Sequence, residues 1–307
     1  MIEMMTRPRT VGEATHVDVP DLIAPRLHLG RWVSGLLVAA LAVGVGVSVF
    51  TNPNIDHATV KDFFFSPAIL TGLGTTILLA VVAQALGIVI GLLVALLRMS
   101  RNPVAAVVGW VYVWLFRGIP LLVQVLIWGN FALFYRRIDI GIPGTDVLWA
   151  SWDTNAVLTP FVASLLALSL NEAAYMAEII RGGMLSVATG QHEAARALGL
   201  SRSQALVKVI LPQVLRVIIP PTGNQFINML KMTSLVSVIA GGDLLTQAQN
   251  IAAGNLQTME LLFVASGWYL VCTTIASIAQ SILERRFDRG HRRAGWWARM
   301  LGSRRTA

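Results

Sequence analysis

The stretch TTILLAVVAQALGIVIGLLVALL, residues 75–97, carries no charged side chain until Arg98. As a helix rising 1.5 Å per residue it reaches roughly 34 Å, enough to cross a hydrocarbon core of about 30 Å. In lipid every backbone N–H and C=O must be satisfied within the protein, which leaves helices and closed barrels. A barrel strand needs only about 10 residues, so a run this long predicts a transmembrane helix.

Working outward, the run extends to 69–97. Similar apolar segments lie near 32–50, 108–135, 159–181, 209–238 and 259–283. The expected fold is therefore an all-α integral membrane protein with six transmembrane helices. The third segment is interrupted by Arg117. Residues 102–116 could instead form an interfacial helix, with the span starting near Gly118. Composition agrees with a membrane chain: 55% of the 307 residues are hydrophobic and 13% charged, against about a quarter charged in a soluble domain. Mean hydropathy is +0.66.

The formal charge of +8 does not point to nucleic acid, because the basic residues follow the spans. With the N-terminus inside, all 24 lysines and arginines except Lys61, Arg136, Arg137 and Lys231 fall inside or at that boundary. Such bias sets orientation, so both termini are expected in the cytoplasm, facing an anionic leaflet. Segments 51–68, 136–158 and 241–258 then lie outside. Residues 1–30 are polar, with Pro8, Pro20 and Pro25, and read as a loose tail. The run 32–50 lies too far from the start for an ordinary cleaved signal and reads as an uncleaved span. Cys272 sits in an apolar run and reads as a small core residue.

One inside loop, 184–212, has its own grammar. Thr189 is placed to cap a helix starting at Gly190. Glu193 lies near the positive end of that helix. Ala194, Ala195, Ala197 and Leu198 favour helix, and Gly199 suits the left-handed residue that stops one. Ser201-Arg202-Ser203-Gln204 reads as a capping box opening a second helix. The first helix, of about nine residues, is too short to stand alone in water and needs a partner surface. That surface is either its own bundle or a docked protein. Gln191, Ala194, Ala195 and Leu198 share a face; Glu193 and Arg196 are spaced to pair.

Polar residues inside spans are the other candidates. Glu172 falls near the middle of the fourth span, with Tyr175 a turn on. Asn224, Asn228 and Lys231 recur at i, i+4 and i+7 on the fifth. If the two stripes face each other, a carboxylate and an ammonium could hold the ends of a zwitterion. The alternative is that Glu178, Arg181 and Lys231 pair or snorkel at the boundaries. Pro220-Pro221 predicts a break in the fifth span. Gly87 and Gly91 predict close helix approach, within the subunit or between subunits. The histidines are scattered, and no zinc-protease helix, serine elbow or Gly-x4-Gly-Lys-Ser/Thr phosphate loop is present.

Four segments resemble the permease subunits of ABC importers, in the polar amino acid uptake family. Glu193-Ala194-Ala195, Gly199 and Leu211-Pro212 are similar to the family's EAA loop, with Val209 in place of the usual isoleucine. Arg117–Gln124 resembles its RGTPLLVQ segment, with Ile119 replacing threonine. Ala173–Gly183 and Lys231–Ala240 resemble two more. The likeness covers roughly 70–285, so the first span is an addition to a five-span core. The expected organisation is a tail at 1–30, the extra span and outer loop at 31–68, a permease domain at 69–287 with its coupling loop at 184–212, and a basic tail at 288–307.

The resemblance implies a transport subunit with no enzymatic site of its own, in the cytoplasmic membrane of a bacterium. Its implied coupling residues are Glu193, Ala194, Ala195, Arg196, Gly199, Leu211 and Pro212. The implied partners are an ABC ATPase that binds ATP and magnesium, a second permease subunit (identical or paralogous), an external binding protein and a polar amino acid. An ion-gradient-driven transporter would share the spans but leave the loop without a role.

Overall fold

The computed structural model describes residues 29–142 and 147–302. Of the expected loose tail at 1–30, residues 1–28 lie outside them and 29–30 are already helical; the last residues of the basic tail also lie outside. The chain divides into a unit ending at Ile55 and a second unit from Asp56 onward.

In the first unit, α1 (Leu29–Phe50) is a 22-residue apolar helix. Trp32, Leu36 and Leu41 stand exposed along it, as suits a lipid-facing surface rather than a water-facing one.

The second unit contains α2 (His57–Phe64), α3 (Pro67–Arg98), α4 (Pro103–Gly118), α5 (Leu121–Gly129), β1 (Arg137–Gly141), β2 (Leu148–Asp153), α6 (Thr154–Val157), α7 (Pro160–Leu185), α8 (Thr189–Ala197), α9 (Arg202–Ala205), α10 (Leu211–Met232), α11 (Leu244–Asn255) and α12 (Thr258–Gly302). Three helices open alike, with a polar cap followed by proline: Ser66-Pro67, Asn102-Pro103 and Thr159-Pro160. The cap oxygen accepts a free N–H of the first turn, and proline sits where no N–H is needed. Outside the spans, Asp56 caps α2. The Thr59 side chain, then its backbone N–H, lead in holding the Asp56 carboxyl below its ordinary value.

Among the described residues four helices are long and apolar enough to cross a membrane: Pro67–Arg98, Pro160–Leu185, Arg202–Ile239 and Thr258–Arg286. The pair α4–α5 raises the number to five if counted as one span. The protein is thus a multi-span helical membrane protein. The described residues also include a two-stranded antiparallel hairpin, β1–β2, in the segment 136–158, where an all-α reading places none.

The third segment is not one helix over 108–135. It is two helices bent by 97°. Pro120 has no N–H to give the Phe116 carbonyl, and it forces Ile119 into an extended conformation (φ −94°, ψ 129°). Side chains replace the lost donor. Gln124 Nε2 donates to Phe116 O at 2.9 Å and to Ile119 O at 2.8 Å. Asn171 Nδ2 on α7 also donates to Phe116 O, at 2.8 Å. Gln124 and Asn171 are both buried.

The fifth span starts earlier than 209. A capping box at Ser201 opens a helix that runs, through a π-helical segment at Leu206–Ile210 and a 3-10 segment at Thr233–Ile239, to the end of the span. Pro220 and Pro221 sit inside α10 without ending it. Gln280 on α12 donates to Pro220 O at 3.3 Å, a neighbour's bond to a backbone group beside the prolines.

The core lies where α3, α5, α7 and α10 meet, around Leu79, Ala83, Val125, Leu168 and Met229. The α3–α7 contact depends on Gly87 and Gly91. A Cβ at Gly87 would lie 2.6 Å from Glu172 Cγ, and one at Gly91 would lie 2.7 Å from Met176 Cβ. These two glycines serve packing within the subunit. Helix α11 is held between α3 and α12: Leu244 N donates to Thr76 Oγ1 at 3.0 Å, and Tyr269 OH donates to Asp243 at 3.2 Å.

Replacing Gln124 by Leu strips two part-buried carbonyls of a donor. The variant should lose about 1–3 kcal/mol, read as a lower melting temperature of the purified protein in detergent. An unchanged melt would mean that the break is held by other contacts.

Candidate functional site

Two places carry the candidate residues: the 184–212 loop at one end of the bundle and a polar cluster within it.

In the loop, α8 begins at Thr189, with Ala188 at the N-cap and no capping side chain. Thr189 is therefore a helical residue and not the cap. The far end follows its sequence. Gly199 has φ +72°. Gly199 N donates to Arg196 O at 2.9 Å and Leu200 N to Ala195 O at 3.1 Å, the paired bonds of a glycine-terminated helix. At the next helix, Ser201 Oγ accepts from Gln204 N at 3.3 Å, and Ser201 N donates to Gln204 Oε1 at 3.0 Å.

Of the face expected to be shared by Gln191, Ala194, Ala195 and Leu198, only Ala195 is buried; Leu198 is 79% exposed. Glu193 and Arg196 are exposed, and no ion pair joins them among the described residues. From behind, the loop is fixed to the bundle. Val187, Ile210 and Val214 form a small buried cluster with Met184 and Ile218. Gln213 Nε2 donates to Gln191 Oε1 at 3.3 Å and to Val209 O at 2.8 Å. Leu211 and Pro212 are exposed at the start of α10.

Inside the bundle, Glu172 is 4% exposed. Gln84 Nε2 on α3 donates to its Oε1 at 3.2 Å, and Gln225 Nε2 on α10 donates to its Oε2 at 3.4 Å. No basic side chain pairs with it among the described residues. The two expected stripes do not meet as drawn from sequence. Glu172 faces Gln225, whereas Asn224 accepts from Gln280 of α12 at 3.0 Å. Asn228 is half-buried and Lys231 exposed, without an ion pair among the described residues. One residue along a helix turns the side chain by about 100°, which separates Asn224 from Gln225.

Tyr175 lies beneath Arg117, whose guanidinium carbon is 5.1 Å from the ring centre. Glu178 bonds Arg98 and, at 2.9 Å, Arg181. The ionic reading of that boundary therefore holds for Glu178 and Arg181. The sequence reading missed Gln84, Gln124, Gln213 and Gln225. A lone amide in an apolar run is the signal that could have found them, since a buried amide needs partners as a charge does. Among the described residues no group of three His, Cys, Asp or Glu could hold a metal ion.

With this geometry in view, comparison with known proteins is direct. Residues 87–289 match the family described as binding-protein-dependent transport system inner membrane component. The chain belongs to that family. It is similar to the arginine transport system permease protein of Corynebacterium glutamicum, 39% identical over 283 residues, covering 92% of this chain and 88% of that one. The share left uncovered is too small to exclude α1 from the alignment. The L-cystine permease of Bacillus subtilis is 38% identical, covering 73% of this chain and 88% of its own. The glutamine permease of Escherichia coli is 37% identical, at 72% and 93%. Among solved structures, an amino acid ABC transporter crystallised with histidines aligns at TM-score 0.64 and 35% identity, covering 76% of this chain and 99% of that chain. An inward-facing methionine ABC transporter, 19% identical with TM-score 0.53 over 71% of this chain and 95% of its own, shares the fold. The family is one of transport components, not of nucleotide-hydrolysing subunits, and its members are multi-pass proteins of the inner membrane.

Gly199→Val puts a β-branched residue at a left-handed position, which costs at least about 1–2 kcal/mol. Hydrogen exchange should speed up at 190–204 while α3 and α7 stay protected. Equal exchange in both proteins would show that the glycine is not what stops α8.

Proposed function

We propose that this chain, the permease component of an ABC-type amino-acid importer, moves a polar amino acid inward. Its energy comes from a separate ATPase seated on the 189–212 loop. The observation that carries this reading is the outward face of α8. Glu193, Ala194, Arg196 and Leu198 stand free on a nine-residue helix fixed only from behind. A helix that short gains stability from the surface it packs on, and an exposed leucine beside exposed charged side chains suits a protein partner. Gly199 ends the helix, and Leu211 and Pro212 begin the segment that receives the motion.

The Lys/Arg distribution puts this loop and both termini on the cytoplasmic side. Helix α1 is then a sixth span, added to a core at 69–287 in which α4–α5 is a broken span. ATP and magnesium belong to the ATPase. A second permease subunit, identical or paralogous, completes the pathway, and an external binding protein delivers substrate. The relatives are named for arginine, cystine and glutamine, which favours a polar amino acid as cargo.

Glu172 is the pathway group. It is a buried carboxylate held by two amides, with no cation partner among the described residues, so a substrate ammonium or guanidinium supplies the missing charge. Tyr175 lies on the same helix, and Asn224, Asn228 and Lys231 offer further polar contacts along α10. The helix from Ser201 to Gln225 links loop to site: movement of α8 reaches α10 through Gln213, and Gln225 ends that line on Glu172. Rocking of one bundle against another then alternates access.

Glu193→Lys should abolish ATP-dependent uptake in vesicles, or release the ATPase on purification, while the permease melts as before. If the variant assembles and transports normally, the loop is not the docking site. Glu172→Gln should cut uptake about tenfold or more, as loss of a charge-assisted contact does. Unchanged rate and substrate choice would remove Glu172 from the pathway.

A further inference from the structure

The β1–β2 hairpin has two chemically different faces. Ile138 pairs across from Trp152 and Ile140 from Ala150, and residues directly opposite share a face. That face is apolar over Ile138, Ile140, Ala150 and Trp152, and Ile140 and Trp152 are 49% and 48% exposed. The reverse face carries Arg137, Asp139 and Ser151. Arg137 Nε donates to Ser151 Oγ at 2.8 Å, and Ser151 Oγ donates to Asp139. Beyond Ile140 the register shifts: Leu148 lies opposite Gly141, and the alternation of the two faces ends at Trp149.

The base of the hairpin is fixed to an aromatic column. Trp128 stacks on Phe131 with centroids 5.6 Å apart, and Phe131 on Tyr135 at 5.3 Å. Thr154 N donates to Arg136 O at 3.0 Å and Thr154 Oγ1 to Tyr135 O at 2.5 Å; Thr154 itself is fully buried. Beside this column Leu133 and Phe134 are 82% and 71% exposed. Aromatic residues at the end of a span mark the level of the lipid headgroups.

We propose that the hairpin is a membrane-interface element, with the face of Ile138, Ile140, Ala150 and Trp152 on lipid and the Arg137–Ser151–Asp139 face in water. Lipid is the occupant for two reasons. The hairpin's base is bonded to Tyr135 and Arg136, the residues that directly follow the exposed Leu133 and Phe134 at the end of the aromatic column. A binding protein leaves in every transport cycle and would bare this face to water each time, whereas lipid covers it throughout. Amphipathic elements with one apolar and one charged face settle in the interface plane in this way. The polar face stays available to a delivering protein.

The test uses the assembled transporter with Cys272→Ala and single cysteines carrying a nitrobenzoxadiazole label. The vesicles are phosphatidylcholine and phosphatidylglycerol, with or without an acyl-chain nitroxide. Labels at Ile140→Cys and Trp152→Cys should be quenched about threefold more than labels at Asp139→Cys and Ser151→Cys. Ala150→Cys repeats the apolar arm at a third position, and only variants that elute as intact complexes are scored. Equal quenching of the two faces overturns the proposal. So does shielding of positions 140 and 152 that appears only when the purified external binding protein is added, since that would make the face its docking site.

Discussion

In lipid no backbone polar group can turn to water, and this requirement is sharpest at Phe116. Its carbonyl faces a proline four residues on and has no donor within its own helix. Gln124 and Asn171 supply one each. Those bonds join the end of α4 to the start of α5 and to the middle of α7. They also fix the 97° turn that carries α5 across the core and places the aromatic column and hairpin beyond it. Without them an unsatisfied carbonyl would sit among apolar side chains, at several kcal/mol. The hydrocarbon of the spans contributes little to choosing this arrangement, because lipid tails solvate leucine as well as another helix does.

What draws the helices together is close approach and shared polar bonds. Gly87 and Gly91 let α3 lie directly on α7, and the gap they leave is filled by Glu172 and Met176. The same contact brings Gln84 to the carboxylate, while Gln225 reaches it from α10. Three helices therefore converge on one acidic side chain. The loop at the bundle end connects to it through one unbroken helix. That helix runs through Pro212, Pro220 and Pro221, with a π-helical segment just before Pro212. A continuous helix therefore joins the exposed short helix to the buried carboxylate.

Much of this was legible in the residues. Local rules gave the apolar spans, the capping box at Ser201, the left-handed glycine at 199 and the short α8, because each depends on neighbours within a few positions. The break near Gly118 was also visible, though not its sharpness. Two readings needed correction. Thr189 is in the helix rather than capping it, and the segment 136–158 folds as a hairpin. The second depends on Thr154 locking the strand ends to the carbonyls of Tyr135 and Arg136.

The sequence by itself determined the number and length of apolar runs, the charge asymmetry along the chain and the grammar of the loop. These follow from periodicity, composition and capping, which act locally. Only the tertiary structure decided which side chain Glu172 meets. From spacing alone Asn224 and Gln225 are equal candidates, yet a step of one residue turns a side chain by about 100°, so helix rotation alone gives the carboxylate to Gln225 and Asn224 to Gln280. Tertiary structure likewise decided that Gly87 and Gly91 serve α7, and that two amides seal the break at Pro120, because those partners lie tens of residues away in the chain.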